Sequence, residues 1–70
     1  MDEKVIKELI HEAKKGIWVN KAFLEVNQKF MDNEDTKSSA MKGMAEAQNN
    51  IDSARQYLEV YKKFLANLKR

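Results

Sequence analysis

The sequence predicts an all-α protein: an antiparallel hairpin of two long helices that dimerises into a four-helix bundle. Three observations carry that expectation. The 70 residues include no proline and only two glycines, Gly16 and Gly43, so little interrupts a helix. Alanine, lysine, glutamate, leucine, glutamine and methionine dominate, and all are good helix formers. Residues 32–39, Asp-Asn-Glu-Asp-Thr-Lys-Ser-Ser, form one polar interruption, rich in turn and N-cap types.

The first helix is expected over about 2–32. Lys14-Lys15-Gly16 reads as a helix stop, after which Asn20 would cap a new helix with Val19 and Leu24 as a hydrophobic staple. That alternative is a three-helix bundle broken at Gly16. The apolar register favours continuity. Val5, Leu9, Gly16, Val19, Phe23, Val26 and Phe30 form one 3–4 spaced seam, and Ile6, Ile10, Ala13, Ile17, Leu24 and Met31 form a second beside it. A loop at Gly16 has no reason to keep that phase. A mid-helix glycine costs only about 1 kcal/mol relative to alanine.

The connection is placed at about 33–36, where Asn33, Asp35 or Thr36 can cap the next helix and Glu34 and Asp35 suit its positive end. The second helix then runs over about 37–69. Met44, Ile51, Leu58 and Leu65 occupy one heptad position, and Ala40, Ala47, Ala54, Tyr61 and Leu68 the other. Tyr57 and Phe64 widen this stripe. Folding at the turn is expected to set Phe23 and Phe30 on the alanine-lined start of the second helix. It also sets Gly16 near Ala54, and Leu9 and Val5 near Tyr61 and Leu65.

One domain spans 1–70, and a core of this size supplies about 3–5 kcal/mol by itself. With no cysteine, disulfides and thiolate metal sites are excluded, and association is the remaining support. The apolar arc of the first helix, about 160° wide, exceeds what one partner helix hides. Ile6, Ile10, Ile17, Leu24 and Met31 are therefore expected to mediate self-association, with Asn20 and Asn27 interrupting them one heptad apart. Those asparagines are either register devices or residues at the edge of the stripe.

Thirteen basic against eleven acidic residues give a formal charge of +2, too near balance to indicate nucleic acid. No apolar run approaches the roughly 20 residues needed to span a bilayer, and no secretory signal is visible, so the cytoplasm is the expected compartment. Catalysis needs converging polar groups in a dry pocket, which a hairpin does not offer, so an enzyme is not expected. Glu8-Leu9-Ile10-His11 matches the Glu-x-x-His unit of di-iron bundles, but the carboxylates of the second helix, Glu46, Asp52 and Glu59, fall on its polar side. Neither a metal nor a cofactor is expected.

Trp18 is the most informative residue. In a continuous helix it lies opposite the apolar stripe, with Lys14, Lys15 and Lys21 within one turn and Lys7 extending the row. An exposed tryptophan among lysines suits a protein-binding hot spot or a stacking platform for nucleic acid; a break at Gly16 would instead turn it into the core. Glu8, Glu12 and Glu25 interleave with the lysines, and no arginine precedes Arg55, which weighs against nucleic acid. Met31, Met41 and Met44 gather at the turn, as an adaptable surface or as the closed end of a bundle. The function expected is that of a helical protein–protein interaction module (an adaptor, inhibitor or assembly factor) acting as a homodimer on another cytoplasmic protein. Nucleic-acid binding along the first helix is the alternative.

Overall fold

Asp2 opens the first helix. Its backbone is extended, and its side chain accepts the Val5 amide at 2.9 Å, satisfying one of the donors a helix start leaves free. From there the computed structural model, which describes residues 2–69, shows α1 (Glu3–Lys29), a single 3-10 turn (Phe30–Asp32) and α2 (Lys37–Leu68). α1 passes through Gly16 without a break, so the three-helix alternative is not adopted. The two helices pack antiparallel in a rod 55 Å long and 14 by 13 Å across its Cα positions.

The turn is built from local hydrogen bonds. The Asn33 side-chain oxygen accepts the Asp35 amide at 2.8 Å, and its carbonyl accepts the amides of Thr36 and Lys37. Thr36 stands at the N-cap of α2, yet its hydroxyl does not cap the helix. It donates instead to the Phe30 carbonyl at 2.8 Å, tying the start of α2 back to the end of α1.

Packing follows the sequence expectation on α2 except at Leu68, which is 49% exposed, and departs from it on α1. Ala40, Ala47 and Ile51 of α2 are buried, and Met44, Ala54, Leu58, Tyr61 and Leu65 are half-buried beside them. On α1 the second seam faces α2 more fully than the first, although Leu9, Gly16 and Val19 of the first stay half-buried. Ile6 is 1% exposed, and Ile10, Ala13, Ile17, Leu24 and Met31 line the contact with α2 half-buried. Phe23, Val26 and Phe30 are each half exposed or more, and Val5 is also exposed. The residues assigned above to self-association, Ile6, Ile10, Ile17, Leu24 and Met31, thus belong to the hairpin's own interior. The phenylalanines expected there lie on its flank.

The asparagines account for this rotation. Asn27 sits where a Cβ on Gly43 would come within 2.6 Å of its Oδ1, and its amide donates to the Phe23 carbonyl at 2.7 Å. Asn20 donates to the Gly16 carbonyl at 2.8 Å and accepts from Asn50 of α2 at 3.2 Å. Both asparagines are half-buried at the helix contact, where an amide needs such partners. The close approach therefore falls at Gly43 and Asn27. Gly16 is not pressed against Ala54, since a Cβ there would meet nothing within 4 Å.

The two glycines should consequently respond in opposite directions. Gly16→Ala should raise stability by about 0.5–1 kcal/mol through helix propensity alone. Gly43→Ala should lower it by about 1 kcal/mol or more, because overpacking outweighs the same gain. In an Asn27→Ala background the Gly43 change should become favourable. Thermal unfolding of the four variants checks this, and additive effects of the Asn27 and Gly43 changes would refute the contact.

Candidate functional site

Helical geometry and the contact with α2 divide the surface of the hairpin into an outer edge, a polar side and an apolar side. Trp18 is on the outer edge of α1 and is 72% exposed. Lys14 and Lys15 precede it by one turn and Lys21 follows by one turn, so they flank the indole, and all three are exposed. Lys7 continues the row of Lys14 and Lys21 one heptad earlier. Its ammonium pairs with Glu3 at 3.3 Å, and Glu3 also meets Lys69, the residue that ends α2, at 3.9 Å. The Glu3–Lys69 pair identifies the polar side, along which Lys7, Lys14 and Lys21 run. Exposed pairs of this kind contribute little stability, so they leave the lysines free to engage a partner.

The apolar side is the one on which the asparagines meet. Phe23 lies three residues after Asn20 and four before Asn27, and Phe30 follows Asn27 by three, so all share one row of α1. On α2, Tyr57 and Phe64 follow Asn50 by one and two heptads. Because Asn20 and Asn50 touch, these rows adjoin and face the same way. Val26, Val60 and Leu68 extend them, and each is more than 40% exposed. Tyr57 and Tyr61 stack with ring centroids 6.1 Å apart, giving the free end of α2 a rigid aromatic surface. Together these residues form an exposed apolar surface along one side of the hairpin.

The ordinary ingredients of reaction chemistry are not assembled. No polar or charged side chain is buried among the described residues. Glu8 and His11 are both exposed on the outside of α1, and among the described residues no three histidine, aspartate or glutamate side chains gather as metal ligands. A surface depression lined by residues between Asp2 and Glu12 runs along one helix and is open to solvent. No helix among the described residues is long and apolar enough to cross a membrane.

Of the residues singled out by sequence, Trp18, Lys14, Lys15, Lys21 and Lys7 are on the surface, and Lys7, three turns before Trp18, lies close to the same face of α1. Asn20 and Asn27 lie at the helix–helix contact. Periodicity alone does not single out Phe23, Phe30, Tyr57 and Phe64 as an exposed set. The signal that does is the heptad relation of Asn50 to Tyr57 and Phe64, read together with a polar Asn20–Asn50 pair.

Since Trp18 makes no core contact, Trp18→Ala should leave the unfolding free energy within about 0.5 kcal/mol of the parent. Emission from this single tryptophan should be that of a hydrated indole. A loss of several kcal/mol would place the ring in the core and break α1 at Gly16.

Compared with protein-family models, curated proteins and solved structures, the chain matches none.

Proposed function

We propose that this chain is a non-catalytic protein–protein interaction module, an adaptor, inhibitor or assembly factor, that works through helix faces as a homodimer on another cytoplasmic protein. The observation that carries the reading is the exposed Trp18 set among Lys14, Lys15 and Lys21. Tryptophan is the side chain most enriched at binding hot spots, and it is costly to leave in water on a helix that has room to bury it elsewhere. The flanking ammonium groups favour a partner with an acidic rim, and they steer its approach without fixing its identity.

The same edge has the ingredients of a base-stacking platform, an aromatic ring beside cations, and that is the alternative. Ionic strength separates the two. Nucleic acid displaces counterions, so its affinity falls steeply with salt, whereas a hot spot centred on an indole responds weakly. Position 18 can carry a photo-crosslinking residue in the full chain, expressed in its source cell. The expected product is a discrete protein adduct that forms equally at low and moderate salt and resists nuclease. Nuclease-sensitive adducts lost at moderate salt would overturn the protein-binding reading in favour of nucleic acid.

A further inference from the structure

The apolar side of the hairpin carries its bulk at two opposite corners. On α1 the large residues, Phe23, Val26 and Phe30, occupy the half beside the turn; the other half offers Val5, Leu9, Glu12 and Gly16. On α2 the order is reversed. Gly43, Glu46, Ala47 and Asn50 lie beside the turn, while Tyr57, Phe64 and Leu68 lie towards the free end. Since the helices are antiparallel, the two bulky blocks fall on one diagonal and the two slighter corners on the other.

A face of that pattern is complementary to itself. Turning a second copy over about a two-fold axis lying in the plane of the face, whether along or across the helices, brings each bulky block onto a slighter corner. Large then meets small at both ends, as close packing requires, and every contact occurs twice, as an isologous interface requires. The area points the same way. The accessible surface is 5606 Å², whereas a folded monomer of 8.2 kDa exposes about 4,500 Å². That excess of about 1,100 Å² belongs to the elongated hairpin as a whole, and covering a face over the roughly 800 Å² that each partner contributes to an ordinary stable interface would remove most of it. Among the described residues only Ile6, Ala40, Ala47 and Ile51 are buried in the isolated hairpin, so covering this face completes its core.

We infer that the occupant of the face is a second copy of the chain, seated about an in-plane two-fold so that the Phe23–Phe30 and Tyr57–Leu68 blocks of each copy rest on the slighter corners of the other. The inference rests on the proposed homodimeric module for self-association as such. It assigns that self-association to this face in place of the Ile6–Met31 seam, and it leaves the Trp18 edge outward.

Sedimentation equilibrium of the full chain across a concentration series tests it, with thermal unfolding at each concentration. The expected mass at the upper end is twice the 8.2 kDa of one chain, with Tm rising with concentration. Phe23→Ala and Phe64→Ala each remove two rings per dimer and should weaken the dimer Kd by at least about a hundredfold. Trp18→Ala should leave the Kd unchanged. If either phenylalanine variant unfolds on dilution, its refolding at higher concentration is the expected result. A mass of one chain throughout, with Tm independent of concentration, would overturn both the dimer and its face. A dimer indifferent to both phenylalanine changes would overturn the face alone. Photo-crosslinking from position 18 reads the partner edge separately from all of these outcomes.

Discussion

The contact between Asn27 and Gly43 sets the rotation of α1, and the character of every surface follows from that rotation. With no side chain at Gly43, the Asn27 amide lies directly over the backbone of α2 while donating to the Phe23 carbonyl. Two turns earlier, Asn20 repeats the device, bonding to the Gly16 carbonyl and to Asn50 across the helix contact. Both amides donate to carbonyls of α1 itself, so what ties the rotation to α2 is the space over Gly43 and the Asn20–Asn50 bond, where the wide apolar arc of α1 alone would tolerate several rotations. Once it is fixed, Ile6, Ile10, Ile17 and Leu24 point at α2, and Phe23 and Phe30 are carried to the side.

That rotation leaves the hairpin with half a core. Near the turn the helix contact sets Ala40, Gly43 and Ala47 of α2 against α1, and towards the free end Ile51, Leu58 and Leu65 take over, yet few residues are fully buried. Phe23 and Phe30 of α1 and Tyr57 and Phe64 of α2 gather instead on one flank, where they are exposed. The opposite flank holds the Glu3–Lys69 pair and the row of Lys7, Lys14 and Lys21. Trp18 stands at the outer edge between them. A chain that covers its aromatic flank by self-association would keep Trp18 and its lysines available, so assembly and recognition need not compete for one surface.

Much of this was legible in the sequence. The polar run at 32–39 located the turn, and the unbroken apolar phase across Gly16 argued for one helix, because a loop has no means of preserving register. The alanine heptad of α2 named the buried residues Ala40 and Ala47. The rotation of α1 was not legible, for a physical reason. Its two apolar seams lie side by side, and large-on-small packing of Phe23 and Phe30 against the alanines of α2 satisfies close packing as well as the observed arrangement does. Polar satisfaction decided between them, and it depends on Asn50, which looks like an ordinary surface residue until its partner is known. Gly16 and Gly43 were likewise indistinguishable by type; one is open space and the other a point of contact. The exposure of Trp18 followed from helix continuity and needed no tertiary information.

The contact between Asn27 and Gly43 is therefore the place to test this account, by nuclear Overhauser spectroscopy on the full chain. Cross-peaks between the Asn27 side-chain amide protons and the Gly43 α-protons are predicted, because the heavy atoms of that amide lie within ordinary contact distance of the glycine. If those cross-peaks are absent and the Asn27 amide exchanges as a freely hydrated group, α1 is rotated differently. The aromatic flank, the slighter corners and the two-fold assembly inferred from them would then fall together.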